Sequence, residues 1–567
     1  MKKHNFSERL SWIQQVVLLL FLVVFFFVYT FYLGDGYYLI GDYKYEMYQR
    51  ILFVFLLIEA VLFVLFRLSG KMKQNVRYGK GINWEREDIF LLCYAIVMIL
   101  STIGACDKKT ALFGYPEWFL GIFMMLSFLF LYVVFAKTYC FSMGTIVLYL
   151  VSGAVMCLLG YLQRCGINLL PSQGYDQEGF SLSTLGNINW ICGYLAVYYP
   201  ICMGLLITYL QKKTEKRKKA LTAFLVVLYL VSTGFLVLQG SESGWLILLM
   251  CWVAYFWYGA TIRRRYAMDA YLKAMFLGFL GIGVTSQIYY YRITHGVASY
   301  WGLNQIMYSK AWFVLAFLVG LLLFVRRWIQ EEKGIFAATR FDRYRKVEQR
   351  IFKMMRNAMV IVGVAGCLGI LFIIVGYQIS PQKFAWAASY QKLMFDYEWG
   401  HGRGAIWRSA WSTYLNGNLW RRLFGYGPDC YYYATNTYGN GMYLEIFRET
   451  VTTDAVANAH NELLNILVNS GVFGLLSYLG FLGSLLITFY QATFPSTGKK
   501  GNHYAFMGVV IIVVMTIHNL VSFEQIEATP YFFLLLGILR AGVQELKEAG
   551  TETVSEYGYT ESGILGN

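Results

Sequence analysis

The sequence predicts an all-α polytopic membrane protein with about 14 transmembrane helices and one large helical extracytoplasmic loop. Three observations carry that prediction. Hydrophobic residues make up 57% of the 567-residue chain and charged residues only 14%, where a soluble domain averages about 25% charged. The apolar residues gather into separate runs long enough, or nearly so, for a hydrocarbon core about 30 Å thick. The basic residues cluster between alternate runs, as the positive-inside rule requires.

Taken in order, the runs centre near residues 22, 59, 97, 126, 153, 200, 229, 252, 283, 316, 367, 481, 512 and 538. The first, Trp12 to Leu33, carries no charge. It is too long for a secretory signal and lacks a small-residue cleavage site, so it reads as a retained span. With Lys2, Lys3 and Arg9 on the cytoplasmic side, the clusters at Arg67–Arg86, Lys212–Lys219, Arg263–Arg265, Arg326–Arg356 and Lys499–Lys500 all fall inside. About 34 of the 48 Lys and Arg then face the cytoplasm. The acidic turns Asp35–Glu46 and Glu524–Glu527 fall outside. The net charge of +15 is therefore topological, and an anionic inner leaflet explains it better than nucleic acid does. Both termini are expected in the cytoplasm.

Four regions follow: spans 1–11 in 1–378, the loop in 379–461, spans 12–14 in 462–548, and a disordered cytoplasmic tail in 549–567, which has no apolar period. The segment Arg340–Arg350 reads equally as an amphipathic helix on anionic headgroups or as a solvated linker. No internal repeat is visible, which counts against a secondary transporter. The ten Cys contain no C-x-x-C and no Cys/His cluster at zinc spacing. Most lie in apolar runs as small buried thiols. Cys106, Cys165 and Cys430 fall near the outer side, where a disulfide among them is open. No P-loop, dinucleotide fingerprint or H-E-x-x-H is present, so the sequence predicts neither a nucleotide nor a cofactor nor a metal.

Membrane proteins usually keep loops short, so the chemistry is expected in the long one. Gly404 to Leu415 has helical spacing, with Ile406, Trp407, Ala410, Trp411 and Tyr414 recurring every three or four residues. Arg403 and Trp407 would share a face of that helix. Gly425-Tyr426-Gly427-Pro428-Asp429 reads as a tight turn. Arg403 is either a diphosphate grip, using its paired donors, or an interfacial Arg on lipid headgroups or Glu398. His460 is either a general base or a helix-capping, interfacial His, and Asn461 fits a helix start equally well. His518, Asn519 and Glu59 are ionisable or polar groups at membrane depth, open to hydrogen bonds between helices.

In order along the chain stand Arg403-x3-Trp407, Gly425-x-Gly427-Pro428, His460-Asn461-x-Leu463-Leu464 and Gly471-x2-Gly474. Earlier come Phe113-Gly114-x-Pro116-Glu117-x3-Gly121, Gly160-Tyr161-Leu162-Gln163 and Ser183-Thr184-x-Gly186-Asn187-x-Asn189-x3-Gly193-Tyr194-Leu195 with Pro200. This series resembles the O-antigen ligase and polymerase family over roughly residues 90 to 545. The resemblance implies a GT-C-like membrane glycosyltransferase in the cytoplasmic membrane of a bacterium. Its donor would be a glycan on polyprenyl diphosphate, its acceptor a glycan or lipid-glycan, and it would need no metal. Arg403 would hold the diphosphate and His460 would take the proton of the acceptor hydroxyl. Trp407, Arg408, Asn461, Asn187 and Asn189 are the expected substrate contacts, with Trp411, Tyr431, Tyr432 and Tyr433 suited to stacking on sugars.

The sequence departs from the family in two places. Glu242, in Ser241-Glu242-Ser243-Gly244, stands where many members have an Arg, and Trp118 follows Glu117 where an Arg is frequent. Arg408 or Arg292 is a candidate substitute for the first. Two other readings stay open: a transporter or flippase of lipid-linked oligosaccharides, and a relative of the glycan-strand polymerases of peptidoglycan. The sequence does not separate polymerase from ligase.

Overall fold

The computed structural model describes residues 6–68, 84–170, 183–211, 216–262, 267–296, 305–331, 335–384, 386, 393–439, 441, 445, 456–495 and 501–555. Every regular element among them is helical. Helix α1 (Phe6–Val24) ends in a π-helical turn (Phe25–Tyr29) and is followed by α2 (Ile40–Leu68), α3 (Arg86–Ile103), α4 (Lys108–Phe113) and α5 (Ile122–Thr138). Next come α6 (Met143–Arg164), α7 (Ile188–Leu210), α8 (Lys216–Leu238), α9 (Glu242–Thr261) and α10 (Ala267–Thr294). The short α11 (Gln305–Tyr308) precedes α12 (Ala311–Glu331) and α13 (Ile335–Ile379). The loop holds α14 (Trp399–Asn416), α15 (Leu419–Phe424) and α16 (Tyr431–Tyr438). The chain returns through α17 (Glu462–Thr493), α18 (Ala505–His518) and α19 (Thr529–Ser555).

Ten helices among the described residues are long and apolar enough to cross a membrane: α1 with its π-turn, α2, α6 to α10, α12, α13 and α17. This is a polytopic helical membrane protein. A helix occupies each of the fourteen expected centres, but four fall short of that standard. Helices α5 and α18 are apolar and short. Helices α3 and α19 bring charge into the bundle, α3 through Glu87 and Asp88 and α19 through Arg540. Helix α19 also continues to Ser555, into the stretch expected to be a tail. Residues 556–567 of that stretch lie outside the described residues. The Arg340–Arg350 segment is one continuous helix with the span that follows it.

Helix α7 is the axis of the bundle. Its apolar window is wholly buried, surrounded by α8, α9, α10, α18 and α19. Pro200 inside it removes one helical N–H. Tyr255 of α9 donates to the Pro200 carbonyl at 2.6 Å. Gly204 permits that approach, because a Cβ there would come within 2.2 Å of the Tyr255 hydroxyl. Tyrosines fill much of the core and tie helices through backbone carbonyls: Tyr29 donates to Ile526 at 2.6 Å and Tyr198 to Leu150 at 3.0 Å. With no water in a bilayer core, each such hydroxyl must find an internal acceptor or remain costly. One oxygen of Glu59 is satisfied in a similar way, Oε2 accepting from Gln14 of α1 at 3.0 Å.

The bundle has two polar ends. The loop end gathers the ends of α3, α6, α10 and α18 with the starts of α2, α5, α7, α9, α17 and α19, joined by contacts such as Tyr37 to Ser183 and Arg292 to Cys165. The far end gathers the opposite termini. There Arg540 bonds Glu87 at 2.7 Å and Arg326 bonds Asp269 at 2.7 Å.

Candidate functional site

Arg403 enters the loop end on a short left-handed run. Gly400, His401 and Gly402 have φ of 61°, 61° and 82°, and regular α14 starts only after them. Gly404 has no room for a side chain, since a Cβ would lie 1.8 Å from the Asp396 carbonyl. The Arg403 side chain turns back and donates to the Gly400 carbonyl at 2.8 Å. Its Nε has no partner among the described residues. Burial lowers the Arg403 pKa, and the nearby Glu242 partly opposes this.

His460 stands just before α17 with φ of 45°, a left-handed conformation, and its N–H donates to Asn458 Oδ1 at 3.1 Å. Its ring meets Phe523 edge to face at 5.3 Å, Phe523 meets Trp118 at 4.9 Å, and Trp118 meets Trp190 at 6.2 Å. An aromatic row therefore leads from His460 to the first turn of α7. Burial pulls the imidazole down to about 4, and the Arg403 charge adds to the effect. His460 is therefore neutral near pH 7.

Arg403 acts electrostatically on three groups carried by three other elements: Glu242 at the start of α9, His460 before α17, and His518 at the end of α18. The His518 side chain is buried and its Nδ1 has no partner among the described residues. Gly193 of α7 faces it, and a Cβ there would lie 3.7 Å from His518 Nε2. The sequence marked Glu242 only as a departure from a family pattern. That it shares a neighbourhood with Arg403 is a tertiary fact with no local signal.

The other expected substrate residues divide. Trp407 packs on Trp399 at 5.2 Å and Phe395 at 6.0 Å, one helical turn from Arg403, and its Nε1 has no partner among the described residues. Asn187 is the N-cap of α7, accepting from the Asn189 N–H at 2.8 Å, and Asn189 stands beside Trp190. Asn461 is engaged at both ends of its amide: Oδ1 caps Leu464 N–H at 3.1 Å and Nδ2 donates to Leu520 at 2.9 Å. Arg408 is engaged by the loop and the end of α13, donating to the Phe395 carbonyl at 2.7 Å and Gln378 at 3.1 Å while covering the rings of Phe395 and Tyr397. Arg292, the other candidate substitute, bonds the Cys165 carbonyl at 2.7 Å. Tyr431 is buried in the cap and donates to Ile406 at 3.1 Å, whereas Tyr432 lies against Tyr115 at 5.2 Å.

The loop is seated on the bundle mainly by backbone. Helix α17 breaks at Gly471, whose φ is 68°. Tyr426 N–H donates to the Val468 carbonyl at 3.0 Å and Gly427 N–H to Asn469 at 2.9 Å, while Ser101 adds a bond to Asn469 at 2.6 Å. The kink thus directs carbonyls at the loop, whose N–H groups satisfy them. The two glycine motifs meet face to face: a Cβ on Gly425 would lie 2.3 Å from the Asn469 carbonyl oxygen, and one on Gly471 2.4 Å from the Leu423 carbonyl.

Asp429, which sequence reasoning passed over as a turn residue, holds the segment that carries Trp118. It accepts the N–H groups of Tyr115 at 2.6 Å and Leu120 at 2.9 Å. Burial pushes its carboxyl up to about 6. The sequence signal was present, because Asp after Pro in a turn is a ready acceptor of backbone N–H groups.

Among the described residues, no three His, Cys, Asp or Glu side chains converge as a metal site. No family model matches the chain, and no curated protein matches it. The fold defines a polytopic α-helical membrane protein whose loop end brings an arginine and a histidine together.

Proposed function

We propose that the chain is a membrane glycosyltransferase of the O-antigen ligase and polymerase kind, joining glycans carried on polyprenyl diphosphate at the outer face of a bacterial cytoplasmic membrane. The observation that carries this reading is Arg403: a half-buried guanidinium whose Nε has no partner among the described residues and whose charge reaches a neutral His460. In this reading the loop end faces outward and the fold is of the GT-C type.

Arg403 holds the donor diphosphate and stabilises the charge that grows as the sugar–phosphate bond breaks. The diphosphate is a good leaving group and needs no acid. His460 takes the proton from the acceptor hydroxyl as its oxygen attacks the anomeric carbon, so the anomeric centre inverts. An imidazole with a pKa of about 4 is a weak base in the empty site. The bound diphosphate offsets the Arg403 charge and brings its own negative charge near the ring. Both effects favour the imidazolium and raise its pKa toward the working range. The donor thus activates the base. Trp407 and the row from Phe523 to Trp190 offer faces for sugar rings.

The test is a transfer assay in nanodiscs with polyprenyl-diphosphate-linked glycan and acceptor, comparing wild type with Arg403→Ala and His460→Ala. Loss of product in both, with membrane insertion unchanged, supports the reading. Full activity in either variant refutes its assigned role. A ladder of products indicates a polymerase, and a single transfer indicates a ligase. The flippase reading draws less support, since Glu59, one of its intramembrane candidates, is engaged by Gln14 in the peripheral α1–α2 pair.

A further inference from the structure

Cys106 follows α3 and Cys430 precedes α16, 324 residues further along the chain. The fold brings them together at the loop end. Cys106 N–H donates to the Tyr426 carbonyl at 2.9 Å, which anchors the turn containing Cys430. Cys430 Sγ lies 3.3 Å from the Asp107 carbonyl oxygen, and Cys106 Sγ lies 4.0 Å from the Cys430 carbonyl oxygen. Each thiol therefore reaches the backbone that carries the other. The two thiols also interact with each other, while the Cys430 S–H donates to the Asp107 carbonyl. Gly427 keeps the space open, because a Cβ there would come within 2.9 Å of Cys430 Sγ. Both thiols are free in this structure.

The two differ in character. Cys430 is fully buried and Cys106 half-buried. Arg421, anchored on the Gly104 carbonyl at 2.8 Å, places its charge near Cys106. The interaction with Cys430 and then that charge favour the Cys106 thiolate, whereas the same interaction and burial hold Cys430 protonated. An accessible thiolate beside a buried thiol is an attacking and resolving pair.

We propose that Cys106 and Cys430 are joined as a disulfide that fastens the loop to the end of α3, formed by exchange with a disulfide-bearing oxidant. The Cys106 thiolate attacks one sulfur of the oxidant, breaking its S–S bond and releasing one thiolate. Cys430 then loses its proton to solvent and attacks the Cys106 sulfur of the mixed disulfide, expelling the second thiolate. Two protein thiols are oxidised by two electrons, and one oxidant disulfide is reduced to two thiols. The bond would clamp the turn next to Asp429, and so the segment carrying Trp118, independently of what the site catalyses.

The experiment uses the full-length protein in detergent, exposed to glutathione disulfide, then denatured without reductant and labelled with a maleimide. Expected are two fewer labelled thiols than the reduced chain's ten and a peptide linking Cys106 to Cys430, found by mass spectrometry of wild type. Cys106→Ser and Cys430→Ser should each remove that linked peptide. Labelling of all ten thiols after oxidation, or a linked peptide that pairs Cys106 or Cys430 with Cys165, would overturn the proposal. The wild-type peptide map does not depend on either variant folding.

Discussion

At the far end of the bundle Arg540 is paired with Glu87 and Glu85, Arg326 with Asp269 and Glu348, and Lys137 with Asp88. At the loop end Arg403 Nε, His518 Nδ1, Glu524 Oε2 and Glu527 Oε1 are buried with no hydrogen-bond partner among the described residues; at the far end Asp88 Oδ1 and Arg540 Nη2 lack one too, but there each residue keeps an opposite charge beside it. The two ends belong to one bundle, so the contrast is not a matter of general packing quality. Buried polar atoms are ordinarily satisfied, and exceptions collect where a protein does something besides folding. Paired charges at the far end hold helices in register. Unmatched groups at the loop end keep their capacity for something that arrives.

The contrast can be broken experimentally. The largest expected effect is on turnover: His460→Ala should lower transfer by about 10²–10⁴-fold and Arg403→Ala by about 10²–10³-fold, with little change in thermal stability. Scanning fluorimetry beside the transfer assay separates the two readouts. A melting point that collapses in Arg403→Ala would make it a structural residue like those at the far end.

The mirror experiment is Arg540→Ala, which strands the nearly inaccessible Glu87 in the bundle. Breaking a buried pair from one side costs about 3–5 kcal/mol, so folded protein recovered from the membrane should fall sharply. Specific activity of the folded fraction should hold. Loss of activity at normal stability would show that the far end also serves catalysis.

A pH series sharpens the loop end further. A base works only while neutral, so activity fails on the acid side as pH drops through its pKa. In the empty site that pKa is about 4, and donor binding raises it. The acid limb of kcat should therefore lie at higher pH than the limb of kcat/KM. Coincident limbs would remove donor-assisted activation. The same depressed pKa contributes stability that is complete above the ordinary value of 6.5 and is lost as pH falls toward about 4, because the unfolded chain binds the proton more readily.

The smallest effect is expected at Asn187. Removing an N-cap costs about 1 kcal/mol, so Asn187→Ala should lose modest stability and keep its activity. Lost activity at unchanged stability would restore Asn187 as a substrate contact.

Much of the fold was legible because span length and apolar character are local properties. The helix after Gly404 was legible from its spacing, and Arg403 and His460 stood out as ionisable residues in a loop far longer than membrane proteins usually keep. What was hidden depends on distant approach. No pattern in Ser241-Glu242-Ser243 says that Arg403 stands across from it. Nothing local to Asp429 names Tyr115 and Leu120 as its donors. Helices α3 and α19 were read as ordinary spans, whereas their charges are tolerated only because Arg540 and Glu87 meet. Asn461 and Arg408 looked like ligand contacts because the partners that occupy them, Leu520 and Phe395, cannot be inferred from spacing.

The joint between loop and bundle has a consequence for any scan of substitutions across it. Because Tyr426, Gly427, Val468 and Asn469 meet through main-chain atoms, exchanging their neighbours' side chains leaves most of the hydrogen bonds intact. Only added bulk at Gly425 or Gly471 separates the two backbones. A map of mutational tolerance over this region would be nearly flat with deep notches at these two glycines and at Gly427, where a Cβ would lie 2.6 Å from that of Ala105, so the joint is conspicuous through the smallest residues in it and silent elsewhere.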